Sequence, residues 1–462
     1  MTLSLTREEL LAQFIENAII GEHSSFIAVS RVPENEREFD QKKHQLLPRP
    51  NIDTSENYHN VDSDIRRRYR QRHPSSRYVS LSSQSVDLSG EVVAHVMSIT
   101  KAVMGLQWAH DIFNIDGNFP HLREYLDDVK GDKSKLGFYL SPHHIMSPAI
   151  RNALVKKALT QTSGVVIKDT DGFDMLHMLM ISGTTEEGDA GLNSIESEFD
   201  EAVFSVHSMK NEFHYSDKMT QVASIALEDM HKRMNDNETY LLKTEIPKLF
   251  FPLSMRTAWN VKKWPTVNAG FDVKLRVKMR FKSNNPMTQL KPTFKEITVP
   301  VFNTLGFWGL RLSGNQMMEF GAYLLTHHRE LMIRLYDDKG LYVVLPDKDD
   351  PAIQQEASRL GGIHSTRAGW HYSCFWWIPQ FKDYPEENAK YKWIAAIGHQ
   401  GQFILLELTQ GWVFIRQRFS INANFQNADI EHITSSASDT IRYPAFCFDA
   451  FMLVININKN QN

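Results

Sequence analysis

The chain has 462 residues, of which 42% are hydrophobic, 23% charged and 11% aromatic, with a formal net charge of -4 and a sequence pI near 6.6. That balance describes a globular protein long enough to bury a sizeable core. It excludes any general electrostatic attraction to nucleic acid or to an anionic membrane, so neither is expected as a partner.

Glu8 to Ile20 starts polar and then carries Leu10, Leu11, Phe14, Ile15, Ala18 and Ile19 at helical spacing, which predicts an amphipathic first helix. The opening residues lack the basic start and apolar run of a secretory signal. No stretch reaches the roughly eighteen uninterrupted apolar residues of a membrane span. Cys374 and Cys447 form no Cys-x-x-Cys pair and cannot make a disulfide framework. The expectation is a cytoplasmic protein with buried, inert thiols.

Ser25 to Ser30 reads as a strand. Residues 33–76 are polar, interrupted by Pro48, Pro50 and Pro74 and without apolar period, so they read as an extended loop or insertion. The basic run Arg66 to Arg72 inside it follows acidic residues and reads as a solvated face. Tyr78 to Ser82 looks like a second strand, and Glu91 to Met97 leads into a helix beginning at Ser98. From about 111 to 260 the pattern is mainly helical, with loops at Asn114 to Asn118 and around Gly183 and Gly188. Residues 169–201 hold ten acids and no Lys or Arg, and Met175, Met178 and Met180 there suit either a core helix or a flexible lid.

After Phe271 the character changes. Val273 to Met279 alternates strictly, as a half-exposed strand does. Further strands are predicted at Leu341 to Leu345, Cys374 to Ile378, Trp393 to Ile397, Phe403 to Leu408 and Trp412 to Arg416, and the apolar run Ala445 to Ile457 should pack back on the sheet. The order predicts one α/β (α+β) domain over 1–462, its sheet assembled from both chain ends, with 271–462 supplying most strands and the helical block inserted between.

Three motifs carry chemistry. In Ser98-Ile99-Thr100-Lys101 a helix places hydroxyl and amine three residues apart on one face, a nucleophile beside a candidate base. The same pair also suits a capped core helix. A helix N-terminus adds free N–H groups and positive potential for a developing oxyanion. Tyr215-Ser216-Asp217 opens another helix, and its tyrosine could relay a proton or simply anchor a loop. Gly398-His399-Gln400-Gly401-Gln402 runs into the strand at Phe403, giving either a plain hairpin turn or a strand edge open to substrate. No His-Glu-x-x-His cluster or Gly-x-Ser-x-Gly elbow occurs, so no metal, no cofactor and no α/β-hydrolase site is expected.

Taken together, Ser98 to Lys101, Tyr215 to Asp217 and His399 to Gly401 resemble, in order, the Ser-x-x-Lys, Tyr-x-Asn and His- or Lys-x-Gly elements of the serine β-lactamase and penicillin-binding superfamily. The likeness is to its class C, DD-peptidase and family VIII esterase-like branch. Ala158 to Val165 resembles the family's segment ending Thr-Ser-Gly, and Leu249 to Met255 its Pro-Leu-Gly-Met region, so the match runs from about Tyr78 to Arg416. Phe375-Trp376-Trp377-Ile378 and Ala395 to Gln402 are similar to the 6-aminohexanoate-dimer hydrolase branch. The resemblance implies an antiparallel sheet flanked by helices. It makes Ser98 the acylated nucleophile, Lys101 its activator, Tyr215 the proton relay, and the N–H groups of Ser98 and Gln402 the oxyanion hole. Asp217, His399, Gly401 and Trp377 would support or bind substrate. Asp217 stands where β-lactamases have an amide and His399 where many have lysine, and both changes point away from penicillin-like substrates. The expected substrate is a small ester or amide. A catalytically inactive interaction protein on the same fold is the alternative.

Overall fold

The computed structural model describes residues 6, 9–11, 14, 25–32, 94–96, 98–141, 148–165, 213, 215–237, 242–252, 255, 271–279, 293–301, 306–307, 310–345, 369–398, 402–418 and 442–461. The expected insertion at 33–76, the strand at 78–82, the acidic segment at 169–201, and His399 and Gly401 lie outside the described residues. The chain divides into two compact units. One comprises Met1–Ala102, Phe250–Pro252 and Leu310–Asn462, and the other Val103–Leu249 and Leu253–Gly309.

The described strands are β1 (Ser25–Arg31), β2 (Ala94–His95), β3 (Phe271–Met279), β4 (Thr293–Val301), β5 (Arg311–Leu312), β6 (Tyr342–Val344), β7 (His371–Ser373), β8 (Trp376–Ile378), β9 (Trp393–Gly398), β10 (Gln402–Glu407) and β11 (Trp412–Arg418). The helices used below are α1 (Ile99–Ile112), α2 (Val155–Leu159), α3 (Asp217–Asn235), α4 (Gly314–His327) and α5 (Arg442–Gln461).

The first unit is built on a seven-stranded sheet in the order β1-β11-β10-β9-β8-β7-β6. Every neighbouring pair is antiparallel, so β1 from the N-terminal end joins strands from the C-terminal end, as expected. The runs Trp393 to Gly398 and Gln402 to Glu407 are buried throughout because helices cover both faces. Phe403, Trp393 and Phe414 meet α5 and the N-terminal segment: Phe403 lies 5.1 Å from Phe446, Trp393 6.1 Å from Phe451, and Phe414 5.5 Å from Phe14. Strand alternation turns Ile404, Leu406 and Val413, the partner of Leu406, to the opposite face. There they meet α4 at Gly321, where an added Cβ would sit 2.7 Å from Val413 Cγ1. Each large apolar side chain so covered contributes about 1.5–3 kcal/mol.

Sequence reading missed α4. Ser313 caps it in a reciprocal pair with Gln316, the side chain of each accepting the other's backbone N–H, a Ser-x-x-Gln signature present in the sequence.

The second unit is mainly helical, in keeping with the block predicted at 111–260. The Trp108 indole N–H of α1 donates to Ala223 O of α3 at 3.1 Å. Between the same helices Asp111 accepts from Gln107 Nε2 at 2.9 Å and pairs with His231 Nε2 at 2.7 Å. The alternating segment at 271–279 forms a strand as predicted. Its partner is β4, in a two-stranded ribbon separate from the main sheet. Alternation specifies two unlike faces but not which strand lies alongside. Among the described residues no helix is long and apolar enough to cross a membrane. Cys374 and Cys447 are both buried.

Candidate active site

Ser98 occupies the turn immediately before α1, where its carbonyl accepts the Lys101 N–H at 3.1 Å. The turn is tied down from elsewhere in the same unit. Val96 N donates to Leu310 O at 2.9 Å, and Leu310 N donates back to Thr100 Oγ1 at 3.1 Å, extending the β2–β5 pairing into the first turn of the helix. Within that frame the side chains behave as their spacing predicted: Lys101 Nζ donates to Ser98 Oγ at 2.6 Å. Lys101 is 1% exposed while Ser98 remains partly open.

A buried lysine is expensive, since an ammonium loses its hydration and neither form gains much by being packed in a core. The N-terminal end of α1, with its partial positive charge, lies at the same place.

Two further contacts position this turn, and the sequence did not single out either. The indole N–H of Trp376, in β8, donates to Ala102 O at 2.9 Å. The two-residue turn before β8 is Cys374-Phe375, with φ of 44° and 66°, the left-handed pair that a tight hairpin requires and that glycine or asparagine usually fills. Gly398 ends β9 against Val96 O, so close that an added Cβ would overlap the carbonyl, and would also sit 2.9 Å from Gln402 Cβ. Gln402 is directly opposite Gly398 in the ladder and 1% exposed. The β9–β10 hairpin thus starts beside the residue two before Ser98.

Trp377 pairs with Tyr372 and Ala395 and packs edge-on against Tyr372 at 4.7 Å. Alternation along β8 directs it to the sheet face opposite the one on which Trp376 reaches α1. It is 2% exposed and offers almost no surface to a substrate.

Tyr215 and Asp217 belong to the other unit. Tyr215 is partly exposed and Asp217 exposed at the start of α3. Ser216 between them is the helix cap: its Oγ accepts Met219 N–H at 3.1 Å and its carbonyl accepts Thr220 Oγ1 at 2.9 Å. Among the described residues no group of three or more His, Cys, Asp or Glu could hold a metal ion.

The sequence matches no family model and no curated protein sequence. Solved structures similar to the chain include a mutant of simvastatin synthase from Aspergillus terreus, at 12% identity over 99% of this chain and 100% of that one, with a TM-score of 0.44. A penicillin-binding protein homologue from Pyrococcus abyssi is 11% identical over 89% of this chain and 73% of that one, with a TM-score of 0.41. A Bacillus anthracis protein provisionally described as a 6-aminohexanoate-dimer hydrolase is 11% identical over 82% and 76%, with a TM-score of 0.40.

Proposed function

We propose that this protein is a serine hydrolase of the penicillin-binding and β-lactamase type that cleaves a small ester or amide through an acyl-enzyme on Ser98. The observation that carries the reading is the 2.6 Å bond between Lys101 Nζ and Ser98 Oγ, made by a lysine that is 1% exposed. In the proposed cycle Ser98 Oγ attacks the substrate carbonyl carbon and gives up its proton to the acylation base, for which Lys101 and Tyr215 are the two candidates. The N–H groups of Ser98 and Gln402 receive the oxyanion. The same proton then goes to the departing alcohol or amine, leaving an ester on Ser98. Water adds to that ester and releases the acid and the free serine.

A fluorophosphonate probe should label wild-type protein at Ser98 and leave Ser98→Ala unlabelled, and only the wild type should hydrolyse p-nitrophenyl acetate with a burst of nitrophenol. An unlabelled wild type with no ester turnover would favour the inactive interaction protein instead.

A further inference from the structure

The segment Ala158 to Val165 attracted attention in the sequence only through its likeness to a family motif. In the structure it closes α2 with paired backbone bonds, Gln161 N–H to Ala158 O at 3.1 Å and Thr162 N–H to Lys157 O at 2.7 Å. These are the two bonds of a Schellman terminus, whose turn residue adopts left-handed backbone and is usually glycine. Here it is Gln161, at φ 57°. A side chain at that position works against the backbone, so its retention points to something the side chain does.

The carboxamide of Gln161 is fully engaged. Its Oε1 accepts the Ser216 N–H at 2.5 Å, and its Nε2 donates to Ala158 O and to Thr220 Oγ1, each at 3.2 Å. Gln161 is 1% exposed and Thr220 is fully buried. The Ser216 N–H belongs to the peptide that directly follows the Tyr215 Cα. Holding that group fixes the peptide plane, and with it the rotation about the Tyr215 Cα–C bond that sets where the phenol points. Thr220 Oγ1 accepts from Gln161 and donates to Ser216 O at 2.9 Å, so it closes a second link around the same residue. The tyrosine motif is thereby tied to the end of a helix more than fifty residues earlier, through one side chain in a conformation that only strong contacts would maintain.

We propose that Gln161 is a positioning residue for Tyr215: its carboxamide orients the Tyr215–Ser216 peptide so that the phenol is held in one direction for proton transfer. The proposal rests on the assignment of Tyr215 as the proton relay. A misplacement of the order of 1 Å at a reacting group can cost about a hundredfold in rate.

The test uses Gln161→Gly, because glycine suits the left-handed backbone and removes the carboxamide without straining the fold. Expected for p-nitrophenyl acetate is a fall in kcat of about 30- to 100-fold with KM within about threefold, in a protein that urea denaturation shows to be folded at the assay temperature. In a Tyr215→Phe background the same substitution should cost less than about twofold, since the group it positions is already gone. A Gln161→Gly kcat within about twofold of wild type overturns the proposal, and so does a loss that recurs in full in the Tyr215→Phe background. Hydrogen exchange of the Ser216 amide separates this outcome from failure of the functional assignment. If wild type shows no Ser98-dependent turnover, that assignment fails on its own. Exchange at Ser216 about tenfold faster in Gln161→Gly would then still support the hold on the turn, and unchanged exchange would overturn it.

Discussion

Placing a single methyl group on Gly398 tests whether the β9–β10 hairpin must lie against the serine turn. An ideal Cβ there overlaps Val96 O and comes within 3.2 Å of the Val96 carbonyl carbon and 2.9 Å of Gln402 Cβ. A methyl carbon needs about 3.3 Å from a carbonyl oxygen, so relief requires the two backbones to part by about 1 Å. Neither has a flexible side-chain end to yield. Val96 N–H is bonded to Leu310 O, and Gly398 is paired with Gln402 in the ladder. Overpacking of this kind costs about 1–3 kcal/mol of stability. The kinetic consequence should be larger, because the shift separates Ser98 from the Gln402 strand start, the two sides of the proposed oxyanion hole. A displacement of about 1 Å predicts a loss in kcat/KM of about a hundredfold. The assay is p-nitrophenyl acetate hydrolysis by Gly398→Ala, with urea denaturation in parallel to confirm that the protein is folded at the assay temperature. Activity within twofold of wild type, in a protein destabilised as expected, would refute the idea that this contact sets the site.

Lys101→Met should abolish acylation, by at least about a thousandfold, in a protein that remains folded, because the bond from Nζ to Ser98 Oγ is lost. Urea denaturation and probe labelling read both halves, and a folded variant that keeps a tenth of the activity would contradict the functional assignment. Trp376→Phe removes the indole bond to Ala102 O and should cost about 1–2 kcal/mol with a several-fold loss in acylation rate, measured by burst kinetics. Burial, with the Lys382 charge as a smaller contribution, holds the pKa of His371 below its ordinary 6.5. The folded state therefore prefers the neutral ring, and that contribution to stability is complete above pH 6.5 and lost as pH falls through the lowered pKa. His371→Phe preserves the stack on Tyr342 and should flatten the fall in melting temperature between about pH 7 and 5, compared with wild type.

What could be read from the sequence divides along the range of the interaction involved. Ser98 and Lys101 were legible because an i, i+3 relation on a helix is local, and the short bond between them follows from helix geometry. The strands at 393–398 and 402–407 were legible as continuous apolar runs, since a sheet covered on both faces leaves no polar alternation. The bond from the Trp376 indole to Ala102 O was not legible, because it joins residues far apart in sequence. Gly398 and Gln161 were hidden for the same reason: their partners, Val96 and Ser216, are distant in sequence. A glycine before a turn and a polar residue after a helix each have a commonplace local explanation. The ribbon of β3 with β4 shows the converse, a strand recognised correctly whose partner no local pattern names.

The supports of the serine turn have a property in common. Val96, Thr100 and Ala102 are held respectively by Gly398 in close approach, by Leu310 and by Trp376, three parts of the chain far apart in sequence. None of these contacts improves the helix itself, since α1 continues for three turns past them. Two are obtained at a local cost: a backbone approach that admits only glycine, and a hairpin turn with Cys374 and Phe375 in left-handed backbone. Lys101 adds a buried amine. A fold selected only for stability would relax each of these. Their convergence on seven consecutive residues, 96–102, is the support that the proposed nucleophile would need, because such a serine must not move relative to the groups that receive its charge. Substitutions that relieve these costs should therefore raise stability and lower rate together, and that inverse relation separates a working site from an ordinary well-packed turn.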